Sequence, residues 1–219
     1  MKTLLDLYRS SVGKKIIVGL SGLCLCAYLV VHLFGNLLLF KDDNGVAFNT
    51  YAEILPSILI IRIIEIVLFA VFVFHIFLAA FLWYTNKYNT RPQQYEVYNP
   101  QENTSLSSRT AFITGSIIFI FLVVHMNSFW FPSRFHVEEN PSMYKLVTTT
   151  FSNPVYGIFY VVAMFLLGLH LRHGFQSAFQ TFGLRTQKYE FLIELVGGIF
   201  WLLIPAAFAS MPIYFLFKS

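Results

Sequence analysis

Apolar residues in this chain come in long runs separated by short polar intervals. Five runs, at about 15–40, 58–85, 110–131, 154–181 and 190–217, are apolar over most of their length. A helix needs roughly 20 mostly apolar residues to cross a bilayer, so each run predicts one membrane-spanning helix. The polar intervals 41–57, 86–109, 132–153 and 182–189 then read as connecting loops. The longest is only about 25 residues, too short for a separate soluble domain. The pattern predicts an all-α membrane protein in which residues 1–219 form one transmembrane domain.

The first run follows a basic segment (Lys2, Arg9, Lys14, Lys15), the usual start of a signal peptide. The run is too long for one, and no small-residue cleavage site follows it, so it reads as a permanent span. Composition agrees: 57% of residues are hydrophobic, 12% are charged, and 25 of the 219 are phenylalanine. An average soluble domain carries about 25% charged residues. A cytosolic domain, a disulfide-stapled secreted domain and a disordered tail are excluded. The net charge of +4 does not indicate nucleic acid, because the basic residues form no single stripe. Cys24 and Cys26 are two positions apart on a helix and point to different sides, so they read as small membrane-helix residues.

Lysine and arginine set the expected orientation. Ten of the fifteen lie in the N-terminal segment, in the 86–109 and 182–189 loops, or at Arg172 beside the latter. Lys41, Arg134, Lys145, Lys218 and Arg62 fall on the other side. The positive-inside rule then puts the N-terminus in the cytoplasm and the C-terminus outside. A bacterial inner (cytoplasmic) membrane is the expected location.

Polar groups inside a span are costly and usually mark function. His32, His75, His125 and His170 fall one each on spans one to four, and span five has none. At 1.5 Å rise per residue, His32 lies about 25 Å from Lys15 and His125 about 24 Å from Arg109. On the antiparallel spans, His75 lies about 15 Å from Thr85 and His170 about 16 Å from Thr181. The histidines therefore form two pairs at two depths. A weak internal repeat accompanies them: His32 and Gly22 recur 93 positions later as His125 and Gly115, and His75 recurs 95 later as His170. Ala79 and Gly174 each follow a histidine by four residues, where a small side chain leaves room for a bulky flat group. Facing imidazole pairs in a four-helix bundle suit bis-histidine haem, whose six-coordinate iron transfers electrons rather than binding oxygen. A bare metal ion is disfavoured, because no Cys, Asp or Glu joins the histidines at ligand spacing. His136 reads as a surface group in an outer loop.

These residues resemble the di-haem cytochrome b anchor of succinate dehydrogenase and fumarate reductase, in its single-subunit, five-helix b558 form. The resemblance covers essentially the whole chain. Its most specific stretch is His170-Leu171-Arg172-His173-Gly174-Phe175-Gln176, continuing to Gly183 and Leu184. Gly115 to His125, followed by Phe129 and Trp130, is similar to the family's third helix, whereas Ala79 stands where relatives often have glycine. The resemblance implies two haem b groups, with His32 and His125 as axial ligands of the distal one and His75 and His170 of the proximal one. It also implies a flavoprotein subunit, an iron–sulfur subunit and a membrane quinone, menaquinone being expected. The chain would be the non-dicarboxylate-binding subunit of that enzyme, within the lipid bilayer.

Further groups have candidate roles. Arg172, His173 and Arg109 are candidates for haem propionates or for support of the ligands, with Tyr28 beside them. Glu65, Asn127 and Ser128 are candidates for a quinone site or a proton path, although an i,i+3 ion pair with Arg62 would account for Glu65. Glu194, near Arg185 and Lys188, reads as a partner of the span-five helix dipole. Pro205 and Pro212 are expected to kink span five. Two rival readings remain open on sequence: a haem b anchor for a hydrogenase or formate dehydrogenase, and a haem-free transporter using histidines for protons.

Overall fold

The computed structural model describes residues 10–89, 106–135 and 142–218; His136 lies outside them, as do Lys2, Arg9 and Arg91. The described chain is almost entirely helical and contains no strand. In a bilayer an unpaired backbone group costs several kcal/mol, and a helix pairs nearly all of its own. Helix α1 is Ser11–Leu37, α2 Val46–Ser57, α3 Leu59–Tyr84, α4 Leu106–His125 and α5 Phe131–Phe135. They are followed by α6 (Met143–Ser152), α7 (Pro154–Thr181), α8 (Glu190–Gly198) and α9 (Ile204–Lys218).

Five helical segments are long and apolar enough to cross a membrane: Ser11–Phe40, Leu59–Tyr88, Arg109–Phe135, Pro154–Thr181 and Glu190–Lys218. They match the five expected spans closely, and the chain is a multi-pass membrane protein. Ile66, Phe69 and Phe77 on α3 are 62–72% exposed, as side chains facing lipid would be. Cys24 is exposed and Cys26 buried, on different sides of α1 and unbridged.

Helix α7 is the central element. It packs against α1, α4 and α9, and α1 also packs against α3. Side chains join α3 to span three at both ends. Trp83 stacks on Phe112 at 3.7 Å where span one begins, here called the near face. At the opposite, far face, Glu65 bonds Arg134 and Trp130.

Two intervals expected to be loops contain helices, α2 and α6. Their amphipathic turns were hidden among polar residues, and they fold because they cap the far face. Leu39, Phe48, Phe129, Val147, Phe151, Tyr160, Met211 and Phe215 make one buried cluster there. Asn49 ties the two caps together by accepting the Tyr144 N–H at 2.9 Å and donating to Ser142 Oγ at 3.1 Å. The turn into α2 passes through left-handed Asn44 and Gly45 (φ 55° and 82°). A side chain at Gly45 would also strike the Tyr144 ring.

Span five breaks where proline was expected to disturb it, as a π turn at Ile199–Leu203 just before Pro205. Pro205 has no N–H, so the Trp201 carbonyl four residues earlier is released from the helix ladder. It lies against Gly168 of α7, where a Cβ would come within 2.7 Å of the carbonyl oxygen. Glycine thus lets spans four and five meet backbone to backbone. Pro212 is buried inside α9.

Candidate functional site

The structure brings two of the four histidines into direct contact. His32 on α1 and His125 at the end of α4 face each other with ring centroids 5.9 Å apart and planes at 84°. Tyr28, one turn before His32, stacks on it at 5.3 Å and places its hydroxyl 3.4 Å from Nδ1. Asn36, one turn after, donates to the His32 carbonyl at 2.8 Å. Across the pair, the Tyr160 hydroxyl of α7 is 3.5 Å from His125 Nδ1, with Ser128 nearby. Phe208 closes over His32, and Phe121 and Phe129 close over His125. The polar contacts of both rings fall on Nδ1, and the remaining faces are aromatic.

The second level is built differently. His75 on α3 packs against α1 at Gly22, whose ideal Cβ would stand 3.3 Å from His75 Cε1. His170 on α7 packs against α4 at Gly115, where the same distance is 3.2 Å. Each ring therefore docks on a glycine of the preceding span, and the two glycines are 93 positions apart. The internal repeat is thus a repeat of contacts as well as of spacing. Ser21 Oγ lies 2.9 Å from His75 Nδ1. His170 Nδ1 is buried and faces the Ala111 backbone without reaching hydrogen-bond geometry. His75 and His170 are close enough for charge on one to act on the other, but their rings do not touch.

A metal ion between two imidazoles holds each nitrogen at about 2.0–2.1 Å, so the nitrogens stand about 4 Å apart. Adding roughly 1 Å on each side for the ring puts the centroids about 6 Å apart. The 5.9 Å between His32 and His125 fits that span. Perpendicular planes are compatible with it, since each ring can rotate about its own metal–nitrogen bond. Polar neighbours gather at Nδ1 of each ring and none at Nε2, so Nε2 is the nitrogen open to a metal. Among the described residues no three His, Cys, Asp or Glu groups converge as a metal-ion cage. The available donor set is paired imidazoles.

The other candidate residues are dispersed. Arg172 stacks over Trp201 of span five at 5.1 Å, on the side of α7 away from His170. His173 is half-buried one turn along α7, and Arg109 is exposed at the start of span three. Asn127 is exposed in the π turn Met126–Trp130, while Ser128 is half-buried there.

Glu65 has a stronger partner than the Arg62 anticipated from sequence. Both of its oxygens accept from Arg134 Nη2 at 2.9 Å, and Oε1 also accepts from the Trp130 indole. Arg62 stands at 3.5 Å and spends its Nε on the Pro56 carbonyl. Glu194 accepts from Gln176 at 2.8 Å and from Arg185 at 3.2 Å, so its partners are side chains, and Glu190 rather than Glu194 occupies the first turn of α8. Tyr160, Asn36 and Ser21 were not singled out from sequence. Ser21 did carry a signal, since it directly precedes the repeat glycine, as Thr114 precedes Gly115.

No family model, curated protein or solved structure matches this chain.

Proposed function

We propose that this chain is a membrane-embedded cytochrome b that anchors a succinate dehydrogenase or fumarate reductase. In that role it passes electrons between an iron–sulfur partner and membrane quinone. The observation that carries the reading is the His32–His125 pair, two imidazoles from different spans at 5.9 Å with polar neighbours on Nδ1. Bis-histidine haem supplies one-electron transfer with no open iron position for oxygen. His32 with His125 would hold one haem and His75 with His170 a second.

The chain's own residues would orient and insulate these groups. Tyr28 and Tyr160 fix the rings of the distal pair, and Phe121, Phe129 and Phe208 exclude water around them. Gly22 and Gly115 set how close His75 and His170 stand to the neighbouring spans. Two levels of ligands divide a hydrocarbon core about 30 Å thick into shorter electron jumps. With the N-terminus in the cytoplasm by the positive-inside rule, the His75 and His170 level would receive electrons from the iron–sulfur partner. The Glu65, Arg134 and Trp130 cluster sits at the far face, beside the other level, and is the polar site available to a quinone head group or its protons.

The reading is tested by purifying the tagged chain from its native membrane in mild detergent and identifying what comes with it. Covalent or tightly bound flavin, iron–sulfur centres and succinate:quinone reductase activity are expected in the same fraction. A nickel or molybdenum subunit in their place would refute the assignment.

A further inference from the structure

We propose that Ser21 is a positioning residue that fixes the tautomer of His75, placing the ring proton on Nδ1 so that Nε2 presents its lone pair to iron. The inference rests on the bis-histidine reading above. It follows from counting protons. Ser21 Oγ lies 2.9 Å from the Val18 carbonyl, which can only accept, so the hydroxyl has a place there for its single proton. Ser21 Oγ is also 2.9 Å from His75 Nδ1. With its proton on that carbonyl, it serves the Nδ1 contact as an acceptor, and Nδ1 is the donor. The Val18 carbonyl also faces the His75 ring and can only accept from it. A neutral imidazole carries one N–H, so Nε2 is left bare.

The partner histidine has a backbone neighbour of the same kind, Ala111, 93 residues after Val18, but no hydroxyl at its Nδ1. Thr114 occupies the position 93 residues after Ser21. Its hydroxyl is turned to the Thr110 and Ala111 carbonyls, both at 3.1 Å, and His170 Nδ1 has no hydrogen bond. The two ligands of one haem are thus held unequally, and Ser21 is the side chain that makes the difference. An acceptor on Nδ1–H makes a ligating imidazole more basic, which favours ferric iron and lowers the reduction potential.

The test is a redox titration of the haem-loaded chain, with haem affinity measured in parallel, for the parent protein, Ser21→Ala and Ser21→Thr. Ser21→Ala should raise the midpoint potential of the proximal haem and weaken its binding by about 10- to 100-fold. The distal haem should not change. Ser21→Thr keeps the hydroxyl and should restore both values. Unchanged potential and affinity in Ser21→Ala would overturn the inference while leaving the haem assignment intact. An equal shift in Ser21→Thr would assign the effect to packing and also overturn it. A parent protein that binds no haem would instead overturn the reading on which the inference rests.

Discussion

Replacing Gly22 with alanine sets two effects of opposite sign against each other. An ideal Cβ at Gly22 would stand 3.3 Å from His75 Cε1 and 3.8 Å from its Nδ1. Carbon pairs settle at about 3.5–4.0 Å, so a ring now at 3.3 Å would retreat by about 0.2–0.7 Å. A metal site tolerates about 0.2 Å in its bond lengths, so the retreat meets or exceeds what an iron–nitrogen bond can absorb. It would also lengthen the 2.9 Å contact to Ser21. Meanwhile alanine is a better helix former than glycine by roughly 0.5–1 kcal/mol. The folded chain should therefore be as stable as the parent or slightly more so, while affinity for the proximal haem falls about tenfold or more. Valine should lower it further, and Gly115→Ala, with 3.2 Å to His170 Cε1, should act on the same haem. The assay pairs thermal unfolding of the haem-free chain in detergent with haem titration followed in the Soret band. A Gly22→Val protein that bound two haems with parent affinity would refute the argument.

Removal of either member of a histidine pair should be level-specific. His75→Ala or His170→Ala should lose the proximal haem and spare the distal one, and His32→Ala or His125→Ala should do the reverse, as read by electron paramagnetic resonance of the ferric signals. Arg134→Ala should destabilise the far face by about 1–3 kcal/mol in chemical unfolding, because Glu65, 27% exposed and set in an apolar span, would keep only the 3.5 Å contact to Arg62 and the Trp130 indole. Asp43 gives a pH dependence at the turn into α2. Desolvation pulls its carboxyl upward, but the Ala47 and Gly45 N–H groups and Lys41 outweigh it and hold the group below its ordinary 3.8. The folded form is the stronger acid, so its contribution is complete above 3.8 and fades as pH falls below it. Amide exchange at Gly45 and Ala47, corrected for intrinsic rates, should accelerate in that acid range and not between pH 5 and 8.

The spans and the nearness of His32 to His125 were legible in the sequence because they depend on one-dimensional quantities. Run length gives a span, and 1.5 Å per residue gives a depth. That arithmetic placed His32 level with His125, which the structure brings to 5.9 Å. Contacts between helices depend on rotation about each axis, which depth does not specify. For this reason the Ser21 support of His75 and the Tyr160 contact to His125 had to be seen in three dimensions. Glu65 shows the same limit, since a neighbour three residues away is visible in sequence and Arg134, 69 residues away, is not. The capping helices α2 and α6 were missed because their apolar residues are too few to signal a span. They are stable only against the far-face cluster around Leu39 and Tyr160.

The most direct measurement is a haem count per chain with a reduced-minus-oxidised spectrum on the purified protein. Two b-type haems per polypeptide, both low-spin and six-coordinate, are predicted. A pure, folded chain with no b-haem bands would contradict the account.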